Sequence, residues 1–229
     1  MVDLPMTPEV TYFSDVLCVW AYVGQERLEA VRRTFPNLTI RHRFISVFGD
    51  VPGKIAGAWK DRGGFSGYAR HVRGVAGRFP HVTVGAEAWE AVRPASSASP
   101  HLVLSALRQW EAETSPGSDG LKFEAALWAF RRAFFADGKD IADQRIQQSL
   151  IETFDVDYAA VLEHVKDGSA FAALCRDYQD AERMKIEGSP TFVLNDGRQK
   201  LYGNVGFRIV EANIAEMLRQ PDPEQASWC

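Results

Sequence analysis

The strongest constraint on the fold is that both ends of the chain have strand-and-helix patterns, while the long segment between them has mostly helical ones. Residues 9–14 carry the β-branched and aromatic side chains typical of a buried strand. Apolar residues then recur at helical spacing over 22–35, and residues 38–44 alternate between apolar and polar side chains. This end of the chain therefore predicts a strand, a helix and a second strand.

The C-terminal end predicts two strands and a helix. β-rich runs at 191–194 and 199–202 flank Asn195-Asp-Gly-Arg198, a strong hairpin-turn sequence. The helix that follows places Phe207, Val210, Ile214 and Met217 on one face. Residues 221–229 have no periodicity.

The segment between the two ends favours a helical block. Glycine and proline dominate 49–64, which predicts a loop. Helical patterns cover 65–78, 99–113, 121–136, 143–154, 158–165 and 169–185. A βαβ half and a ββα half separated by helices is the plan of an α/β thioredoxin fold interrupted by an all-helical insertion domain. The predicted divisions are a first thioredoxin-fold half at 1–50, the insertion at 51–185, a second half at 186–220 and a tail at 221–229.

Composition excludes several classes of function. The net charge of −4 does not favour a nucleic-acid partner, and no apolar run is long enough to span a membrane. The N-terminus lacks the features of a signal peptide, and three cysteines are too few for a disulfide framework, so we expect a cytoplasmic protein. No spacing of Cys and His residues suggests a metal site, and no nucleotide-binding motif is present.

Cys18 is the first candidate for chemistry, because it lies between the first predicted strand and helix. At a helix N-terminus, unpaired backbone N–H groups and the helix dipole lower a cysteine pKa and favour the nucleophilic thiolate. The alternative is a structural cysteine packed as a small apolar residue. Core packing is the prediction for Cys175, which shares an apolar stripe with Phe171, Leu174, Tyr178 and Ala181. Cys229 is interpreted as an incidental terminal thiol.

The second candidate is Gly188-Ser-Pro-Thr-Phe-Val193, which places Pro190 directly before a predicted strand. By itself such a proline ends a helix or begins an edge strand. Trp20 and Tyr22 flank Cys18 and are candidates to line a substrate groove, although aromatic residues here are as often part of the core.

Four segments together resemble one family. Phe13-Ser-Asp-Val-Leu-Cys-Val-Trp-Ala-Tyr-Val-Gly24 is similar to the active-site segment of DsbA-like proteins of the FrnE type, in which an Asp and two apolar residues precede Cys-Pro-Trp-Cys. Residues 188–193 resemble that family's cis-proline loop, 201–213 its last strand and helix, and 130–143 part of its helical insertion. Kappa-class glutathione transferases and 2-hydroxychromene-2-carboxylate isomerases are related and share the insertion.

The resemblance implies roles for individual residues. Cys18 corresponds to the attacking cysteine, and Pro190 to the cis-proline beside it, in the cleft between the two parts of the fold. Ser189 would offer its backbone to an extended peptide or to glutathione. Asn204, in Gly203-Asn-Val-Gly206 before the last helix, would contact the γ-glutamyl end of glutathione. The alternative for Asn204 is an ordinary helix cap.

The chain departs from the family pattern at two positions. Ala21 stands where the second cysteine would be, and Val19 replaces the proline. Alanine cannot resolve a mixed disulfide by internal attack. An external thiol such as glutathione resolves it, another cysteine of the chain does so, or the site is chemically retired.

The predicted function is that of a monothiol thiol-disulfide oxidoreductase that acts through a mixed disulfide at Cys18. Its partners are a thiol or disulfide substrate and glutathione as cosubstrate, with no tightly bound cofactor, and a homodimer is compatible with the sequence. One alternative is a glutathione-dependent isomerase or transferase acting on a small electrophile. Another is a non-catalytic thioredoxin-fold binding module.

Overall fold

The two ends of the chain meet in one sheet, in a computed structural model that describes residues 8–118 and 120–219. Its four strands are β1 (Glu9–Ser14), β2 (Thr39–Phe44), β3 (Thr191–Leu194) and β4 (Gln199–Tyr202), in the order β2-β1-β3-β4. β1 runs parallel to β2 and antiparallel to β3, and β3 is antiparallel to β4. The central β1–β3 pair therefore joins the βαβ and ββα halves, which confirms the predicted thioredoxin fold.

Helices fill most of the remaining described residues. They are α1 (Val19–Val23), α2 (Gln25–Thr34), α3 (Val51–Ala58), α4 (Gly64–Ala76), α5 (Ala98–Thr114), α6 (Leu121–Phe135), α7 (Gln144–Glu152), α8 (Tyr158–Lys166), α9 (Ser169–Arg183) and α10 (Phe207–Leu218), with short 3-10 helices at Lys60–Arg62 and Asn195–Gly197. α3 to α9 lie between β2 and β3, where the helical insertion was predicted. Its division into a separate domain stays a prediction, and the predicted tail lies outside the described residues.

The predicted loop at 49–64 is wrong. Asp50 accepts a hydrogen bond from the backbone N–H of Gly53 at 3.0 Å and caps α3, and Pro52 stands in the first turn, where its missing N–H is not needed. Val51 and Ile55, about one turn apart, are both buried. The glycine content of residues 49–64 therefore led to a loop prediction where the short helix α3 forms, with Asp50 as its N-terminal cap.

The predicted helix at 22–35 is two helices, α1 and α2, which are divided at Gly24. A Cβ atom at position 24 would lie 2.9 Å from the carbonyl oxygen of Trp20, so the close approach of the chain at this turn requires glycine. α1 is therefore only five residues long, from Val19 to Val23, and α2 begins at Gln25.

Apolar packing covers both faces of the sheet. α2 and α10 bury Leu28, Val31, Val210 and Ile214 against Val10 and other strand residues. A larger cluster joins the segment around Cys18 to the helices between β2 and β3, and includes Tyr22, Trp89 and Phe130. The segment that carries Cys18 is therefore held by the helical block as well as by the sheet. No helix of the described residues is long and apolar enough to cross a membrane.

The predicted packed stripe on α9 needs correction. Leu174 and Ala181 are buried, but Phe171 is 60% exposed and Cys175 is only half-buried. The buried face of α9 includes Asp177. Its carboxylate accepts hydrogen bonds from Arg43, Arg108 and the backbone N–H of Phe44. A buried ion-pair cluster, which apolar periodicity does not reveal, thus fixes the orientation of α9.

Candidate active site

Cys18 lies in the turn between β1 and α1. Its backbone is extended, and it is the residue that immediately precedes α1. The Cys18 N–H donates to the carbonyl oxygen of Asp15 at 3.1 Å, and the Leu17 N–H donates to the Asp15 carboxylate at 2.9 Å. These bonds close the turn and fix the direction of the thiol.

The thiol points at the Ser189–Pro190 loop. Its Sγ donates to the carbonyl oxygen of Ser189 at 3.1 Å, and the Ser189 hydroxyl accepts from the Asp15 N–H at 2.9 Å. The Ser189–Pro190 peptide bond is cis. The Pro190 carbonyl oxygen accepts from the Gly203 N–H at 2.8 Å, which ties the loop to the end of β4. Two segments far apart in sequence thus form one site.

The site is closed rather than an open cleft. Cys18 is 6% exposed and Ser189 is 7% exposed, while Pro190 is also buried. Burial raises the pKa of the Cys18 thiol above its ordinary value and outweighs the hydrogen bonds that lower it. The sequence-based expectation of a lowered pKa is therefore wrong for this state of the protein. Loss of hydration opposes the thiolate more strongly than the end of the five-residue α1 favours it.

Asp15 organises the site from its buried centre. One carboxylate oxygen accepts from Leu17, and the other accepts from the N–H groups of Val47 and Phe48 and from the hydroxyl of Ser97. Burial raises the pKa of Asp15 to about 6, although these hydrogen bonds act in the opposite direction. Asp15 thereby connects the cysteine turn to the segment after β2 and to the start of α5.

His101, on α5, supports the same turn. Its Nε2 accepts from the Val16 N–H at 3.1 Å, so the ring proton is on Nδ1, which lies 3.1 Å from the Tyr178 hydroxyl. The ring stacks on Phe44 with 4.3 Å between centroids. Burial, followed by the charge of Arg131, lowers the pKa of His101 to about 3, so the ring is neutral.

The neutral state of His101 predicts acid sensitivity. The unfolded chain binds a proton to this histidine near pH 6.5, whereas the folded protein resists it down to about pH 3. Folding stability from His101 is therefore present above pH 6.5 and is lost as the pH falls. We expect the stability advantage of the native protein over His101→Gln to shrink by about 3 kcal/mol between pH 7 and pH 4.

Urea unfolding of the two proteins across this pH range measures the difference. Asp15 titrates in the same range with the opposite sign, because its folded pKa is raised, but it is present in both proteins and largely cancels in the comparison. A difference in unfolding free energy that does not change with pH would contradict a neutral buried His101.

The other predicted site residues have different positions. Trp20 is half-buried beside Cys18, with the Phe79 ring edge-on at 6.4 Å and the Arg78 guanidinium 5.7 Å from its centroid. Tyr22 does not line a groove. It is buried between Trp128 and Phe135, and its hydroxyl donates to the carbonyl oxygen of Thr83 at 3.0 Å. A place in the core, which was the alternative for Tyr22, is the one the structure supports.

Asn204 is exposed in the turn between β4 and α10. It is not the residue that caps α10, because that position is Gly206. The turn is nevertheless tied to the site by the bond from Gly203 to Pro190. Asn204 as a ligand contact stays a prediction.

Sequence reasoning missed several polar residues that bond to residues 14–16, just before Cys18. Ser97, His101 and Arg131 are fully buried and come from the residue before α5, from α5 and from α6, respectively. Their positions in the sequence are those of ordinary helix residues, and only tertiary packing places them beside the cysteine turn. Asp15 did have a local signal, because it lies three residues before Cys18 in the segment that resembles the family motif.

The resolving position contains no thiol. Ala21 is buried one helical turn after Cys18. Cys175 is half-buried on α9, and Cys229 lies outside the described residues. The arrangement near Cys18 is therefore that of a thioredoxin-fold protein whose site has a single cysteine facing a cis-proline loop.

Comparison with known families agrees with this class. The model of the DSBA-like thioredoxin domain matches residues 9–215, so the chain belongs to that family. This match confirms the resemblance that the cysteine and proline segments indicated. Among proteins with curated functions, none matches the sequence significantly.

Solved structures with the same fold include a probable DsbA oxidoreductase from Streptomyces coelicolor. That protein is 21% identical, with a TM-score of 0.70 over 93% of this chain and 92% of its own. The cytosolic disulfide reductase DsbM from Pseudomonas aeruginosa, also solved with GSH, is 20% identical, with a TM-score of 0.61 over 91% of this chain and 99% of its own. A 2-hydroxychromene-2-carboxylate isomerase is 16% identical, with a TM-score of 0.62 over 91% and 95% of the two chains. At these identities the likeness establishes the fold alone.

Proposed function

We propose that the protein is a monothiol thiol-disulfide oxidoreductase that forms a mixed disulfide at Cys18, with glutathione as the resolving thiol. In the first step the Cys18 thiolate attacks one sulfur of a disulfide, and the other sulfur leaves as a thiolate. In the second step a glutathione thiolate attacks the mixed disulfide and releases Cys18. Each step exchanges one S–S bond for another, so no additional oxidant or reductant is needed.

One observation carries the proposal: the Cys18 thiol faces the Ser189 carbonyl at 3.1 Å, and the position that would hold an internal resolving thiol is Ala21. The backbone of such a loop is a natural partner for the cysteinyl part of glutathione, which would take the place of the thiol at the Ser189 carbonyl. The likeness to DsbM, a cytosolic disulfide reductase solved with GSH, supports both the choice of thiol and a reducing cytoplasmic location.

The closed site favours a small disulfide over a folded protein as substrate. Cys18 is almost fully covered, and Trp20, two residues further along the chain, is half-buried. A tripeptide can approach beside this indole with a small local opening, whereas a folded substrate would require the proline loop and α1 to separate further.

Incubation with oxidised glutathione tests the proposal. We expect one glutathione adduct at Cys18, forming slowly at neutral pH and faster as the pH rises, because burial raises the pKa of this thiol. Peptide mass spectrometry locates the adduct. Cys18→Ser removes it, whereas Cys175→Ser, at a half-buried thiol on α9, retains it.

The same experiment decides between the proposal and a non-catalytic binding module. The buried thiol, its raised pKa and the alanine at position 21 favour that second candidate. A chain labelled at Cys175 or Cys229 but not at Cys18 would favour the binding module, because Cys18 would then take no part in thiol exchange. An adduct at Cys18 that reduced glutathione fails to remove would contradict the proposed resolving step.

A further inference from the structure

Arg131 is a buried cation with an incomplete set of partners. It lies on α6 and is fully excluded from solvent. Its Nη2 donates to the Ser14 hydroxyl at 2.8 Å, while Nε and Nη1 have no hydrogen-bond partner among the described residues. A guanidinium carries five N–H donors, so most of its capacity is unused in this state of the protein.

Burial of an unpaired guanidinium is strongly unfavourable, because the charge loses its hydration. Other arginines in the protein avoid this penalty. Arg43 and Arg108, both nearer the surface, share the buried carboxylate of Asp177. Within the described ranges, no Asp or Glu carboxylate makes an ion pair with Arg131. The Arg131 guanidinium is thus held by Ser14, four residues before Cys18, without a directly paired anion.

The titratable groups that interact electrostatically with Arg131 are Tyr12, Asp15, Cys18 and His101. The Tyr12 phenol and the His101 ring are neutral at pH 7, since burial raises the first pKa and lowers the second. Asp15, whose pKa is raised to about 6, is mostly ionised at pH 7 and its charge acts on Arg131, but its two oxygens are already occupied by four hydrogen bonds. Cys18 is the group whose charge changes when the site reacts.

We propose that Arg131 is the counter-charge of the Cys18 thiolate. Arg131 is not a catalytic residue, because it acts through Cys18 and does not contact the substrate. Its positive charge, held by α6 at the end of β1, offsets part of the desolvation that opposes the thiolate. The guanidinium of Arg131 is charged at all times, whereas Cys18 becomes an anion only when the thiol loses its proton to react.

The pair has a consequence for the mixed disulfide, and this part of the inference rests on the proposed function. In the exchange of the Cys18 thiolate with oxidised glutathione, the products are the mixed disulfide at Cys18 and one glutathione thiolate. The negative charge leaves the site, and Arg131 is unpaired again. Arg131 should therefore disfavour the mixed disulfide relative to the thiolate and make Cys18 a better leaving group for the resolving thiol.

The first test is the pH profile of Cys18 alkylation by iodoacetamide, a neutral reagent, measured on the Cys18 peptide. We expect Arg131→Met to react about tenfold more slowly than the native protein below the titration midpoint and to reach the same rate at high pH. Arg131→Lys, which keeps the charge, should stay near the native profile. Arg132→Met is the matched control, because Arg132 is the exposed neighbour on α6.

The second test is the equilibrium with oxidised glutathione. At a pH above the Cys18 pKa of both proteins, Arg131→Met should raise the equilibrium constant for forming the mixed disulfide, by the same factor by which it slows alkylation at low pH. At a pH below the Cys18 pKa of both proteins, the substitution should leave this constant unchanged. The two factors are equal because the charge of Arg131 stabilises only the thiolate form of Cys18, and the same change in the Cys18 pKa therefore enters both measurements. A merely structural role would not produce this equality.

A second uncharged variant keeps the proposal testable if Arg131→Met does not fold. If Arg131→Met does not fold, Arg131→Gln retains a donor for Ser14 without the charge, and near-ultraviolet circular dichroism establishes which variants are native. An unchanged alkylation profile in a folded, uncharged variant would overturn the role of Arg131. A shifted profile without any glutathione adduct would retain that role and reject the proposed function instead.

Discussion

The Ala21→Cys protein is expected to reduce insulin disulfides with turnover, whereas the native chain should remain at background. Position 21 lies three residues after Cys18 in the first turn of α1, where side chains at this spacing share a face. The backbone of Ala21 lowers the pKa of the Cys18 thiol, against the larger effect of burial. The nucleophile, the turn and the proline loop are present, and the substitution supplies the missing resolving thiol.

Two controls define this result. Ala21→Ser has a side chain of similar size without a thiol and should stay inactive, and Cys18→Ser in the Ala21→Cys background should abolish the gain. If Ala21→Cys forms a disulfide between Cys18 and the introduced thiol but does not turn over, the closed site does not admit peptide disulfides. A function confined to small molecules would then be the better interpretation.

Asp15→Ala is expected to lower the free energy of unfolding by about 3 kcal/mol. The substitution leaves the N–H groups of Leu17, Val47 and Phe48 and the Ser97 hydroxyl without their acceptor, and each buried donor left unpaired costs about 1–3 kcal/mol. Relief from burying a carboxylate offsets part of that sum, as the raised pKa of Asp15 indicates. Urea unfolding at pH 7 measures the loss.

Asp15→Asn is the matched control for this prediction. Its amide oxygen can occupy the position that accepts from Val47, Phe48 and Ser97, and only the bond to Leu17 is lost. We expect a loss of about 1 kcal/mol. If Asp15→Ala and Asp15→Asn were equally stable, the carboxylate would not hold the cysteine turn to its surroundings. Faster alkylation of Cys18 in Asp15→Ala than in Asp15→Asn would show that the turn has loosened, because both variants remove the charge that raises the Cys18 pKa.

Local patterns were sufficient for most of the architecture, although they missed α3 and the break between α1 and α2 at Gly24. Secondary structure of this kind depends on neighbours a few residues apart in the sequence, so the sequence is enough to predict it. The examples are the alternation in β2, the turn sequence before β4 and the helical spacing in α4 to α9. The positions of Cys18 and Pro190 could also be predicted, because each residue lies at a junction between predicted elements. The missing thiol at Ala21 is a property of the sequence alone, and with it the prediction that an internal resolving step is absent.

Charge, burial and proton affinity were decided by the tertiary structure. The sequence places Cys18 at a helix start, where a lowered pKa is expected, but the pKa is raised because the Ser189 loop and the helical block exclude water from the thiol. Likewise, His101 and Arg131 look like ordinary helix residues until packing brings them to the cysteine turn. Electrostatic energies depend on distance and on solvent exclusion through space, and neither quantity is encoded by spacing along the chain.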